Sequence, residues 1–259
     1  VLDLDHVVVG DAASSSAGPC VDRGERQARR EEVHVREVSR IVLSREDTVR
    51  IDETVVMVHV AGELVQAAVA QHPAVLDDGR IVFTRWDSAP GHDEMSVYAM
   101  RPDGSRLELL YGANSHQTGT DGSTVQFLDP RPMGNGHLLV RAQPFVAPER
   151  GGELLEVEYA NYVENGQPTA PNRGVLSGPA QQPATVNAVR TVAGASPGGR
   201  FQAAFPLRDG TGRLLVSWTQ CRLLEGTRIV PCTADRLAAA GAVTAAPLYG
   251  LWIYDPSTR

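Results

Sequence analysis

The apolar positions of this chain fall in short runs, and one run pattern returns. Gly79-Arg80-Ile81-Val82-Phe83, Gly136-His137-Leu138-Leu139-Val140 and Gly212-Arg213-Leu214-Leu215-Val216 share it: a glycine, a polar residue, then three apolar residues. Side chains alternate sides along a strand, so three apolar residues in a row predict a strand buried on both faces. Residues 196–205, SPGGRFQAAF, give a looser fourth copy. Around the first copy, residues 78–112 spell out a whole unit. A turn at Asp78-Gly79 launches a strand over 81–86, a polar loop follows, and a second strand covers 96–100. Pro102-Asp103-Gly104 then reverses the chain, because Pro presets φ and Gly tolerates the positive φ that follows. A third strand runs over 107–110. At the far end, LWIYDPSTR matches the VYAMRPDGSR of this unit.

Strand, loop, strand, PDG turn, strand is the pattern of one β-propeller blade. The predicted fold is therefore all-β, a β-propeller over residues 72–259 with three to four blades. Closed propellers typically have four to eight. The reading is thus of a partial propeller, whose open strand edges would make the chain associate.

Residues 1–71 follow a different pattern. The first aromatic residue of the chain is Phe83, and the stretch DRGERQARREEVHVREVSR is dense in Arg and Glu. Alternation in VHVREV and TVRIDETVVMVHV predicts one or two strands, while a charged helix over 23–32 is an equal alternative. A face without aromatics buries little area per residue. The segment is expected to be irregular and thinly packed, either foreign to the propeller or a divergent small module.

Composition narrows the function classes. The net charge of −7 argues against nucleic acid or an anionic membrane surface as partner. No apolar run approaches the roughly 20 residues that span a bilayer. All the basic residues are arginine, so a Schiff-base lysine and a Walker-A lysine are both excluded.

Of the three cysteines, Cys221 and Cys232 bracket CRLLEGTRIVPC. A type II′ turn at Gly226-Thr227 sets Glu225 opposite Arg228, Leu224 opposite Ile229, Leu223 opposite Val230 and Arg222 opposite Pro231. Cys221 then faces Cys232 at a separation that a disulfide can bridge. The alternative is two reduced cysteines in the core. A zinc pair lacks further ligands at zinc spacing. A disulfide would mean an oxidising, periplasmic or otherwise extracytoplasmic compartment.

Candidate chemistry is sparse. The loop NSHQTGTDGST offers His116 and Asp121 amid hydroxyls and glycines, in a connection longer than a blade needs. Such loops on rigid scaffolds often bind ligands. His92-Asp93-Glu94 places three possible metal ligands side by side, a spacing that suits a solvated loop better than one ion. Gly194-Ala195-Ser196-Pro197-Gly198 matches the nucleophile-elbow spelling, but that elbow runs from strand into helix, whereas here Pro-Gly-Gly leads into a strand. Trp86, Trp218 and Trp252 are expected to pack between blades.

The segments DGRIVFTRW, MRPDGSRLELLYGANS, GRLLVSWTQCRL with IVPCT, and PLYGLWIYD carry a family resemblance. They resemble the WD-like repeats of Tol-type periplasmic proteins and, more closely, the propeller-bearing middle domain of the hydrazine synthase alpha subunit and its bacterial relatives. The resemblance implies a structural and docking propeller, with covalent haems on other domains carrying redox chemistry. This chain has no C-x-x-C-H haem-attachment motif, so no cofactor is expected in it, and haem only if other domains supply it. The leading expectation is a non-catalytic scaffold or binding module of an exported protein, gripping a protein or small ligand on the propeller face. The rivals are a fragment of a haem-dependent redox subunit, and a hydrolase or lyase using His116 and Asp121.

Overall fold

A computed structural model describes residues 34–43, 49–60, 63–89, 92–146, 150–239 and 241–258, with residues 34–70, 88, 89, 92 and 93 described as backbone alone. The alternative of a charged helix over 23–32 lies outside these residues. The chain divides into two compact units, meeting between Ala70 and Gln71.

In the first unit β1 (His34–Leu43), β2 (Val49–Val60) and β3 (Glu63–Val75) form an antiparallel meander. The described parts of the two alternating segments, 34–38 and 49–60, lie in β1 and β2. The last residues of β3, from Gln71, belong to the second unit, where a tight turn leads from Leu76 to Arg80.

The second unit is all-β, built from antiparallel sheets in chain order. The end of β3 is followed by β4 (Ile81–Ala89), β5 (His92–Met100) and β6 (Glu108–Tyr111). β7 (Gln126–Gly134), β8 (His137–Gln143), β9 (Glu153–Val157) and β12 (Gln181–Pro183) make the next sheet. Between its last two strands a small hairpin, β10 (Tyr162–Glu164) with β11 (Gln167–Pro168), intervenes. β13 (Arg200–Pro206), β14 (Leu214–Thr219) and β18 (Gly250–Tyr254) form the third sheet. An excursion before β18 holds β15 (Arg222–Glu225), β16 (Arg228–Pro231), the short helix α1 (Ala234–Ala238) and β17 (Val243–Thr244). None of these sheets closes on itself among the described residues.

The recurring Gly-polar-apolar run is the same strand of each sheet: β4, β8 and β14. In β8 the side-chain alternation sends Leu138, Val140 and Ala142 into one core with Val82, Val97, Ala99, Tyr111 and Phe127 of the preceding strands. Leu139 goes into a second core with Leu154, Val189, Phe201, Leu214 and Val216. The middle sheet is thus buried on both faces, as its three-residue apolar run predicts. The fourth copy, in 196–205, is corrected by the register. Phe205 pairs with Leu215 and Pro206 with Leu214, so β13 and β14 are neighbours in one sheet, and the run makes no further sheet.

The short turns at one end share a device. Asp103 Oδ1 accepts from the Ser105 backbone N–H at 2.9 Å and its hydroxyl at 2.7 Å. Asp255 does the same for Ser257 at 2.9 and 2.6 Å, and Asp209 for Thr211. These side-chain bonds mimic a backbone turn. The glycine after Asp103 takes the positive φ of 79° that the PDG reading requires.

Candidate functional site

Antiparallel order starts and ends the long connections that follow β6, β8, β12 and β14 at the opposite end from those turns. Two of them interlock. The Thr120 N–H donates to Thr191 Oγ1 at 2.7 Å, and the Thr191 N–H donates to Thr120 Oγ1 at 3.0 Å. Arg190 reaches Asp121 at 3.2 Å across the same seam, with both side chains exposed. Asp121 itself sits at φ 57°, a left-handed position that Asp tolerates better than most residues.

His116 turns inward instead. It is 3% exposed and packs against Phe127 with ring centroids 5.1 Å apart. Its Nδ1 lies 2.6 Å from the Val125 carbonyl oxygen, which can only accept, so Nδ1 carries the hydrogen in the neutral ring. Nε2 is then the acceptor for the Ser96 hydroxyl at 3.1 Å. Glu94 lies 3.8 Å from the same nitrogen. The arrangement has the order of a nucleophile, a base and an orienting group. Ser96 is buried, however, and its hydroxyl also lies 3.4 Å from the Gly112 carbonyl. His116 thus holds the start of the loop to β5, while Asp121 points to solvent at its tip; no contact joins the two.

The other sequence candidates separate as well. Glu94 belongs to β5, not to a polar loop, and so does the backbone of His92 and Asp93; the side chains of those two lie outside the described residues. Ser196 is buried, donating to the Gly199 carbonyl at 2.7 Å and accepting from the Arg190 N–H at 2.8 Å, which makes it a turn staple leading into β13. No group of three or more His, Cys, Asp or Glu side chains suited to a metal ion occurs among the described residues.

Sequence reasoning missed Arg200. This buried guanidinium donates to the carbonyls of Arg190 at 2.7 Å, Val192 at 2.8 Å and Gly194 at 2.9 Å. One planar fork thereby shapes the 190–194 loop from beneath. A second buried cation, Arg141, lies on β8. Its Nε and Nη2 reach Asp129 Oδ2 at 2.9 and 2.6 Å, and His72 Nε2 lies 3.2 Å from Asp129 Oδ1. A register shift in β7 between Leu128 and Arg131, with Asp129 at φ 53°, aims that carboxylate. Between the first two sheets, Glu164 accepts from the Asn114 N–H at 3.0 Å and the Ser115 hydroxyl at 2.6 Å. Tyr111 is buried beside it and receives the Gln181 amide at 2.9 Å. Burial pushes its hydroxyl up to about 12, against a lowering by that hydrogen bond.

Two hollows flank the third sheet. One, about 20 Å³, lies under the disulfide excursion among Ser196, Arg200, Thr219, Cys221 and Thr244, room for about one water. The other, about 180 Å³, is lined by Asn187, Phe201, Val216, Trp218, Trp252 and Tyr254. Trp218 meets Trp252 edge to face at 5.8 Å between centroids and donates its indole N–H to the Gly198 carbonyl at 2.9 Å. Trp218 packs against the second core, and Trp86 packs against Phe145 at 5.7 Å. Trp252 is half exposed, so the expectation of packing between sheets does not describe it.

Cys221 and Cys232 form a disulfide with Cα atoms 5.5 Å apart. The hairpin beneath it has the expected register throughout: Arg222–Pro231, Leu223–Val230, Leu224–Ile229 and Glu225–Arg228. Gly226 takes φ 60° while Thr227 does not take a positive φ, as a type II′ turn requires. The disulfide closes the base of the excursion that stands on the loop end of the third sheet.

No helix among the described residues is long and apolar enough to cross a membrane. No protein-family profile matches the chain, and no curated protein does either.

Proposed function

We propose that the second unit is part of a β-propeller and acts as a non-catalytic binding module of an exported protein. The observation that carries this reading is the repeat of one strand order across three stacked sheets, with the glycine-led apolar run always on the second strand. Blades of a propeller are meanders of this kind. The interlocked 112–125 and 184–199 loops, braced by Arg200, supply a rigid loop face, and such faces are where scaffolds hold ligands. The disulfide supports an oxidising compartment. The resemblance to the hydrazine synthase alpha subunit's middle domain points the same way, toward docking rather than chemistry. His116 and Ser96 are spent on holding a loop, which favours binding over a hydrolase or lyase.

The test is expression of the whole reading frame with export and cytochrome maturation. A colourless protein whose Cys221–Cys232 bond forms, and whose fold survives His116→Gln, is the expected result. A covalent haem Soret band would instead favour a redox subunit. A substrate turnover abolished by His116→Gln in a folded protein would overturn the binding reading.

A further inference from the structure

The connection from the second strand to the third spans residues 90–91 in the first sheet of the second unit and 144–152 in the next. In the third sheet it spans 220–249 and holds β15, β16, β17 and α1. Connections of that length are uncommon in compact domains and are often functional. This one builds a sheet of its own, in the order β16-β15-β17, with the Cys221–Cys232 bond across its base. Neighbouring rows of that sheet face opposite ways. Val230, Leu223 and Thr244 lie side by side and turn inward, the first two buried and Thr244 lining the small hollow. One residue along, Ile229, Leu224 and Val243 lie side by side and turn outward, 57%, 40% and 55% exposed. The solvent face of a surface sheet is ordinarily polar, so a row of three aliphatic side chains there marks an interaction surface.

We propose that this row docks an amphipathic helix of a partner protein, one that carries acidic side chains beside its apolar stripe. The dimensions fit. With strands about 4.8 Å apart the row is about 10 Å long, and an apolar stripe over two helical turns covers about 10.5 Å. The charges select the sign. Arg228, next to Ile229, is exposed and makes no ion pair among the described residues. Arg222 lies on the outward side two residues before Leu224, its guanidinium donating to the Ala246 carbonyl at 2.6 Å. The one acid of the hairpin, Glu225, is held by Arg236 at 2.7 Å. The sheet is thus cationic in a chain of net charge −7. A second copy meeting this face would bring the same arginines and no free acid on the sheet. An anionic membrane would repel the chain as a whole, and the row lies on the face of the sheet while its tip, residues 225–228, is polar. The edge of β16 resists an added strand, because Pro231 offers no N–H there. The inference rests on reading the unit as a binding module and gives that module its docking surface.

The probe is a fluorescent helical peptide with leucines at i, i+3, i+4 and i+7 and glutamates beside them, titrated against the exported whole reading frame. A twin with lysines in place of the glutamates serves for comparison. The acidic peptide should bind saturably, weaken as salt rises, and bind about two- to fivefold more tightly than its twin. Leu224→Glu should weaken it by about tenfold or more, and Arg228→Glu should reverse the preference between the two peptides. Val175→Glu, exposed elsewhere in the unit, should change neither affinity. Folding of each variant is checked by formation of the Cys221–Cys232 bond and β-rich circular dichroism. No saturation by about 1 mM, equal binding of the two peptides, or binding that survives Leu224→Glu overturns the proposal. So does capture by phosphatidylserine vesicles that Leu224→Glu abolishes, which would give the face to lipid. A Val243→Cys thiol that resists alkylation in the whole reading frame would give it to the chain itself. Any of these results leaves the binding-module reading to be decided by the haem and turnover tests.

Discussion

At Asp129 a left-handed backbone and a bulge in β7 set a carboxylate against the Arg141 guanidinium, with both side chains largely out of water. Removing the anion alone leaves a buried cation without its partner, which typically costs about 3–5 kcal/mol. Asp129→Ala should therefore lower stability by that order in urea unfolding, and adding Arg141→Met should restore much of it. An undiminished midpoint for the single variant would show that the pair is spectator chemistry. The turn aspartates predict a different dependence. Hydrogen bonds from Ser105, Thr211 and Ser257 hold Asp103, Asp209 and Asp255 below the ordinary carboxylate range, Asp209 at about 2. A carboxyl held lower in the folded state than in the unfolded one stabilises the fold above the unfolded value. That contribution fades as pH falls through the folded value. Stability should thus drop as pH falls from about 4 to about 2, and Asp209→Asn should make the drop shallower in denaturant melts at those two pH values. The aspartate–serine spacing behind this is local and legible in the sequence. The partners of Asp129 and Arg200 are not, because they arise from a bulge and from three loop carbonyls that only the folded chain brings together.

Among the elements, the Cys221–Cys232 hairpin was legible down to its register, since a two-residue turn fixes every pairing once Gly226 is placed. Closing so short a loop contributes on the order of 3 kcal/mol in the chain-entropy model, felt first by the excursion itself. Non-reducing peptide mapping of exported protein should find the fragments on either side of Arg222 and Arg228 joined; free alkylation of both thiols would defeat the assignment. The β5 boundary was not legible, because His92, Asp93 and Glu94 are polar residues that read as a loop yet extend the hairpin with β4. Gly152 was equally silent. It bridges to Phe201 of β13, and a Cβ there would run into the Ala142 carbonyl on β8. Gly152→Ala must force the start of β9 away from the end of β8 and disturb the bridge to β13, at a cost of about 2–4 kcal/mol, measurable as a lowered thermal midpoint with β-rich circular dichroism retained.

For the whole molecule the decisive contrast is between a sheet covered on both faces and one covered on a single face. The sequence presents β8 and β14 as equals, Leu-Leu-Val after a glycine and a polar residue, and periodicity alone cannot tell how many neighbours a strand will have. The structure separates them. Leu139, the middle residue of the run in β8, lies fully inside the second core, while Leu215, its counterpart in β14, looks out from the third sheet beside Phe205. Truncating a buried leucine removes its transfer energy and leaves a cavity, together about 2–5 kcal/mol. An open site loses only the part of the side chain that was covered. Leu139→Ala should therefore cost several times more than Leu215→Ala in dilute protein. If the third sheet is covered by association, the gap should narrow as concentration rises, because partner binding stabilises the folded state by mass action. Equal losses at every concentration would mean that the outer face of the third sheet is already as well covered as the middle of the stack.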